Sequence, residues 1–187
     1  MKLLGLEAIY PKPNTSKSHL EHKIYPYLLR NIKASYPDHI WGTDITYIRM
    51  QGGFMYLEVF LDWYSRYVVS WALSDTLEDD FVIEALERAL QTGMPHIASQ
   101  FTGNDYVGKL FKNEIKVSMD GRGRCMDNIF TERFWRTVKY EDVYIMDYET
   151  PRELRIGLGK YLHKYNYKRP HQALDYQTPA EVYFKDR

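Results

Sequence analysis

Cysteine is almost absent from this sequence, and long apolar runs are absent altogether. Its 187 residues include a single cysteine, Cys125, so no disulfide can form within the chain. The close pair His19 and His22 lacks the further thiolates of a structural zinc site. No apolar run approaches the roughly 20 residues that a membrane-spanning helix needs. The composition therefore excludes a disulfide scaffold and a membrane protein, and it favours a protein of the cytosol.

The sequence also lacks an excess of charge of either sign, because 25 Lys and Arg balance 25 Asp and Glu. The two signs are nevertheless separated along the chain. Residues 109–140 contain eight basic and four acidic residues, and residues 152–171 contain six basic residues against Glu153 alone. Six acidic residues gather within residues 75–87. Such separation permits a polyanion-binding face on a neutral protein, although the exposed faces of ordinary helices give the same pattern.

The length predicts one globular domain with extensions. Residues 1–39 have no sustained hydrophobic period and contain four prolines, so we expect an extended arm or linker with a short turn of helix near residues 24–32. From residue 40 onward β-branched and aromatic residues become frequent. We therefore assign residues 40–187 to the core of the protein, which ends in a helical extension.

Alternating hydrophobic patterns predict the elements of this core. Residues 40–49 and 54–64 read as a hairpin around Gln51-Gly52-Gly53, and residues 67–73 read as a third strand. A helix is expected from a capping box at Thr76 and Asp79 to Gly93. The remaining elements are expected to be a very short fourth strand, a helix, a fifth strand and two helices, at residues 96–99, 105–113, 115–119, about 127–142 and from Thr150. This order predicts an α/β fold with a mixed five-stranded sheet.

Two carboxylates stand out as candidate metal ligands. Asp44 lies within an apolar strand, where an ionised carboxylate is costly unless it binds a cation or a partner. The alternative is that its side chain points to solvent on the other face of the strand. Glu132 shares a helical face with Arg136 and Lys139, and its alternative is an ordinary surface salt bridge. Periodicity alone leaves both alternatives open.

Several motifs in order closely resemble the integrase-core transposases of bacterial insertion sequences. The match covers nearly the whole chain, and its combination of motifs is far more specific than any one of them. These motifs are Trp41–Tyr47, Asp62–Arg66, Ser118–Asn128, Glu132–Trp135, Lys139–Glu141, Tyr165-Asn166, Arg169–His171 and Thr178–Glu181.

This resemblance implies a ribonuclease-H-like fold in which two Asp and one Glu hold two Mg²⁺ (or Mn²⁺) ions. Such ions would serve metal-dependent phosphodiester cleavage and strand transfer in DNA integration, chemistry that favours hard oxygen ligands. By position, Asp44 matches the first Asp of the family and Glu132 matches its Glu. Lys139 matches a basic residue that contacts DNA, and we expect Arg136, Arg122 and Arg124 to contribute to DNA binding.

The second Asp of the family has no counterpart in this sequence. Relatives carry an Asp-containing segment just before a Phe-Thr pair, whereas residues 93–104 here contain no acidic residue. We infer a deletion of about five residues between Ile97 and Phe101, which would also shorten the fourth strand. Asp105 and His96 are poor substitutes, since Asp105 belongs to the next helix and His96 is a softer, neutral ligand. Weak metal binding and impaired catalysis are the expected consequences.

The resemblance also implies partners and a place in the cell. The expected partners are DNA, both element ends and target, and further copies of the chain; no membrane and no small-molecule substrate are expected. The chain begins inside the linker that follows the end-recognising helix-turn-helix segments of relatives, so we expect weak sequence specificity. The expected location is the bacterial cytosol, at the nucleoid. The alternative function is a non-catalytic nucleic-acid-binding remnant of a mobile element.

Overall fold

Five strands form one mixed sheet in the spatial order β3-β2-β1-β4-β5. The computed structural model describes residues 25–99, 103–119 and 129–185. Strands β1 to β3 are antiparallel, and β4 and β5 run parallel to β1. The sheet therefore confirms the predicted α/β architecture, including its short fourth strand. The strands are β1 (Ile40–Met50), β2 (Gly53–Asp62), β3 (Val68–Ser74), β4 (Ile97–Ser99) and β5 (Lys116–Ser118).

The predicted hairpin joins β1 to β2 through a two-residue turn. The register runs from Trp41 opposite Asp62 to Met50 opposite Gly53. Gly53 has a φ of 145°, a conformation that side chains rarely allow, so glycine is required where the second strand begins. The long first strand follows from this turn and carries Asp44 near its middle.

Helices cover both faces of the sheet. The helix α3 continues through a π-helical turn (Lys139–Val143) into α4, and a 3₁₀ turn (Gln172–Leu174) precedes α6. No helix in residues 25–99, 103–119 and 129–185 is both long and apolar enough to cross a membrane. The helices are α1 (Asp79–Thr92), α2 (Asn104–Lys112), α3 (Ile129–Val138), α4 (Tyr144–Met146), α5 (Pro151–Lys168) and α6 (Pro179–Tyr183).

Alternation along the strands divides the core into two layers. Trp41 and Phe60 point to the face that α1 and α2 cover. Leu57 and Val59 point to the opposite face, where α3 and α5 pack. Asp44 is opposite Val59 in the register of β1 and β2, and paired residues share a face. The first candidate ligand is therefore directed toward the layer that contains α3.

The segment that precedes β1 differs from its prediction. The expected helical turn near residues 24–32 is wrong for the described residues from 25 onward, which form only a turn at Arg30 and Asn31. The backbone here bonds to the sheet instead, because Leu28 N donates to Ser118 Oγ at 3.0 Å. Leu29 is buried against Ile40 and its neighbours. Leu28 and Leu29 are thus fixed to the core, and packing overrides any local helical preference there.

The two predicted helix starts have different outcomes. The capping box at Thr76 is wrong: α1 begins at Asp79 after Glu78, without a side-chain cap. Thr76 N donates to Ser74 Oγ, which holds residues 74–76 in a bend outside the helix. The start of α5 is confirmed, since Thr150 Oγ1 accepts a hydrogen bond from Glu153 N at 3.2 Å. The predicted apolar stripe of α5 is buried as well, at Leu154, Leu158, Tyr161, Leu162 and Tyr165.

Candidate active site

A hydrogen bond between β1 and α3 holds the Asp44 carboxylate. Trp135 Nε1 donates to Asp44 Oδ2 at 3.0 Å, and the indole is otherwise buried in the core. One carboxylate oxygen is thereby oriented, while Asp44 itself is only half-buried. The alternative of a fully solvent-facing Asp44 does not describe this geometry.

Glu132 lies one helical turn before Trp135 and is exposed. Burial raises the pKa of the Asp44 carboxyl above its ordinary value, and the nearby charge of Glu132 raises this pKa further. The hydrogen bonds from Trp135 and from the backbone of Ile45 oppose that shift. Two carboxylates that repel each other at the edge of a half-buried site are favourable ligands for a cation, which would relieve the repulsion.

Two basic residues flank this pair along the same helix. Lys139 opens the π-helical turn, and its Nζ lies 5.1 Å from the centre of the Tyr47 ring on β1. Burial lowers the pKa of the Lys139 ammonium. The Arg136 guanidinium is exposed and lies 5.9 Å from the centre of the Tyr140 ring. Positive charge and exposed aromatic rings therefore stand together beside Asp44 and Glu132, whereas Arg122 and Arg124 lie outside the described residues.

His96 lies at the wrong end of the sheet to replace the missing Asp. It precedes Ile97, which pairs with Ile40 at the start of β1, and the centre of its ring lies 6.2 Å from that of His39. Asp44 lies five residues further along β1, roughly 16 Å at about 3.3 Å per residue. The register of the sheet therefore separates His96 from Asp44.

Asp105 is not a nearby substitute either. It is exposed in the first turn of α2, which packs on the face of the sheet opposite α3. Within residues 25–99, 103–119 and 129–185, no three His, Cys, Asp or Glu side chains are grouped closely enough to hold a metal ion. The pair of Asp44 and Glu132 still fits Mg²⁺ chemically, because that ion commonly uses one or two carboxylates together with water and substrate phosphates.

Sequence reasoning missed Trp135 and Tyr47, which contact the predicted residues. The position of Trp135 offered a signal, since a residue three places after Glu132 lies on a neighbouring part of the same helical surface. Tyr47 offered no comparable signal. Its contact with Lys139 joins residues 92 positions apart through tertiary packing.

Known proteins resemble this chain in sequence over most of its length. Two family models, both described as Integrase core domain, match residues 34–125 and residues 113–179. The transposase of insertion sequence element IS904 from Lactococcus lactis is 32% identical over 195 residues, which cover 96% of this chain and 77% of that protein. The putative transposase InsK of IS150 from Escherichia coli is 30% identical over 162 residues, 82% of this chain and 57% of the relative.

Solved structures share the fold at lower identity. A chain of the simian T-cell lymphotropic virus intasome superposes with a TM-score of 0.71 at 19% identity, over 90% of this chain and 62% of that one. The HTLV-2 integrase catalytic core in complex with magnesium superposes with a TM-score of 0.64 at 20% identity, over 81% and 99%. The ribonuclease-H-like fold is thus confirmed, and the chain belongs to the insertion-sequence transposases that carry an integrase core domain.

Proposed function

We propose that the chain is a DNA-transposition protein whose metal-dependent chemistry is impaired. The observation that supports the proposal is the contact between β1 and α3, across which the charge of Glu132 acts on the Asp44 carboxyl. Lys139 lies over the ring of Tyr47 on the same strand. The chain spans 77% of the IS904 transposase but 57% of the IS150 relative, so the activity of a whole relative is part of the proposal.

Each residue of the site has a defined task in this proposal. Asp44 and Glu132 would hold Mg²⁺ or Mn²⁺, and the Trp135 hydrogen bond would fix the direction of the Asp44 carboxylate. A bound ion supplies activation of a water or DNA 3′-hydroxyl and stabilises the charge at phosphorus. Lys139 and Arg136 would hold the DNA backbone near these carboxylates. Arg122 and Arg124, just before α3 in the sequence, remain proposed DNA-binding residues.

Impairment follows from the missing second Asp. Residues 93–104 contain no acidic residue, and the positions of His96 and Asp105 argue against replacement by either. With one carboxylate fewer, a site for two divalent ions has less negative charge and fewer oxygen ligands, so we expect weak metal binding. The notable alternative is a chain that binds nucleic acid without any catalysis, which the separated basic segments favour.

We further propose that the partners are DNA and additional copies of the chain. The HTLV-2 integrase cores were solved in dimeric and trimeric forms, and the simian viral chain belongs to an intasome. A homo-oligomer assembled on DNA is therefore the expected active form. The finding on membrane-spanning helices is compatible with a cytosolic protein at the nucleoid, which is part of the same proposal.

A strand-transfer assay tests the proposed function. Labelled DNA with the terminal sequences of the element that encodes the chain would be incubated with Mg²⁺ or Mn²⁺, and products would be compared with those of Glu132→Gln. Glu84→Gln, which alters an exposed glutamate on α1, is the control for lost charge. We expect salt-sensitive DNA binding with little or no product. A robust product that Glu132→Gln abolishes would contradict impairment, and a failure to bind DNA would contradict the function itself.

A further inference from the structure

Three arginines converge on a small cavity between α3 and the C-terminal end of α5. Arg66 follows β2, Arg133 lies on α3, and Arg169 follows α5. The cavity has a volume of about 170 Å³, and Thr137 and His171 also line it. Residues from three separate parts of the chain thus bring positive charge to one place, away from Asp44.

Arg66 lines this cavity, and one of its nitrogen atoms makes no hydrogen bond to the described residues. Its guanidinium carbon lies 3.5 Å from the centre of the Phe130 ring, which fixes the plane of the group. The buried Nη1 has no hydrogen-bond partner among the described residues. Burial lowers the pKa of Arg66 to about 10, and the charge of Arg133 acts in the same direction. The group remains charged at neutral pH, and an anion would compensate its buried donor.

Arg169 is held at the cavity by an ion pair. Its Nε donates to Glu141 Oε2 at 2.9 Å, and its Nη2 donates to Glu141 Oε1. Burial, together with the charges of Arg169 and Arg66, lowers the pKa of His171 to about 4, so this histidine is neutral at pH 7. Its Nε2 lies 3.4 Å from Arg169 Nη1 and can accept a hydrogen bond there.

Positive charge exceeds negative charge around the cavity. Glu141 balances Arg169, whereas Arg66 and Arg133 form no ion pair with any described residue. Asp62 acts on Arg66 electrostatically. Its two oxygens, however, accept hydrogen bonds from Ser65 and from the backbone of Asp38. Planar guanidinium groups with free N–H edges match the oxygens of a phosphate, which they bind in pairs.

We propose that this cavity binds a phosphate of the DNA backbone, at a position separate from the carboxylate site. Arg133 projects about 100° around α3 from its neighbour Glu132, which separates the two sites by on the order of 10 Å across the helix. That distance corresponds to about three nucleotides at about 3.4 Å per nucleotide. The proposal rests on the proposed function only for the source of the phosphate, because DNA is the polyanion that a transposase binds.

The test measures duplex DNA binding by fluorescence anisotropy in EDTA, so that the metal site does not contribute. Arg133→Gln changes an exposed side chain, and Arg66→Gln is the second variant. We expect each to weaken binding about tenfold and to lower the slope of log K against log salt by about 0.9, the value for one lost phosphate contact. Arg30→Gln, the same charge change at an exposed position outside both basic segments, is the control and should leave the slope unchanged.

Inorganic phosphate provides the second arm. If the cavity binds phosphate, millimolar phosphate raises the melting temperature of the natural chain but not that of Arg133→Gln. Stabilisation by phosphate with an unchanged DNA slope would identify a site for free phosphate and overturn the proposal. The absence of both effects would overturn it as well. If the natural chain bound no DNA but phosphate still stabilised it, the proposed function would be refuted, and so would DNA as the source of the phosphate. The anion-binding site itself would stand.

Discussion

Asp44 is oriented by a buried side-chain donor, the indole nitrogen of Trp135, and it also accepts a hydrogen bond from the backbone of Ile45. Both hydrogen bonds favour the ionised carboxylate, while burial and the charge of Glu132 disfavour it. The Trp135 hydrogen bond therefore lowers the free-energy cost of ionising Asp44 at its half-buried position. The proposed metal ligand therefore depends on a residue that would not itself bind metal.

Replacement of Trp135 by Phe should reveal this dependence. A double-mutant cycle combines this replacement with Asp44→Ala, and chemical denaturation measures the stability of each variant. We expect a coupling free energy of about 1 kcal/mol between the two residues. This value is lower than that of a fully buried charged hydrogen bond because Asp44 is partly exposed. The cycle of Trp71→Phe with Asp44→Ala is the control. Equal coupling in both cycles would show that the hydrogen bond does not contribute.

A second residue, Glu58, is buried in the layer under α1 and α2. Thr43 Oγ1 donates to its Oε1 at 3.2 Å, and Oε2 has no hydrogen-bond partner among the described residues. Burial raises the pKa of the Glu58 carboxyl from its ordinary value of 4.5 to about 8, and the charge of Asp44 adds to the shift. The carboxyl is consequently protonated in the folded protein at neutral pH.

Glu58→Gln should change how stability depends on pH. Above pH 4.5 the unfolded chain releases this proton while the folded chain keeps it, so the natural protein loses stability as pH rises to about 8. We expect the free energy of unfolding of Glu58→Gln to exceed that of the natural chain, and this difference should grow from pH 4.5 to pH 8. At pH 8 it should be on the order of a few kcal/mol. Denaturation at pH 5 and pH 8 measures this difference in free energy of unfolding, with Glu84→Gln as the control. A constant difference would contradict the assignment.

Among the secondary-structure elements, the start of α5 could be predicted from the local sequence alone. Thr150, Pro151 and Glu153 define a helix start by their own side chains, and the structure has that start. The same reasoning failed at Thr76, because its backbone bonds to Ser74 instead. It also failed near residues 25–32, where contacts with Ser118 and Ile40 are distant in sequence. Patterns within one segment cannot report these competing partners.

Thr150→Ala should therefore destabilise the protein, and Thr76→Ala should not. We expect a loss of about 1 kcal/mol for Thr150→Ala, because Glu153 N loses its acceptor. Thr76 makes no cap, so its substitution should remain within about 0.5 kcal/mol. Urea denaturation of both variants compares an observed cap with a predicted one. A similar loss at both sites would refute the assigned helix start.

At the scale of the whole molecule, zero net charge conceals an uneven distribution. The sequence segments with excess Lys and Arg include α3 and α5, and the cavity with Arg66, Arg133 and Arg169 lies between these helices. Composition indicated that such a face was possible but could not place it. Arg66 comes from a turn after β2, and only the fold brings it to the other two arginines.

The residues of the candidate site were likewise only partly predictable from the sequence. Motif order identified Asp44 and Glu132, and the sheet and α3 place them on one side of the protein. The chemistry of its ring already made His96 a poor substitute for the missing Asp. The parallel register of β1 and β4 separates it from Asp44. Registers depend on pairing between distant segments, which a single sequence does not report.

Magnesium binding by an insertion variant shows whether the missing Asp limits the proposed metal site. The variant carries a five-residue segment with Asp between Ala98 and Ser99, and its control carries Asn in place of that Asp. Because loss of a supporting residue alone costs about 10–100-fold in metal affinity, gain of a ligand should tighten Mg²⁺ binding at least about tenfold by calorimetry. We expect weak binding by the natural chain and the control, and tight binding by the Asp variant that Asp44→Asn abolishes. Equally tight binding by the natural chain, or binding that survives Asp44→Asn, would contradict the account.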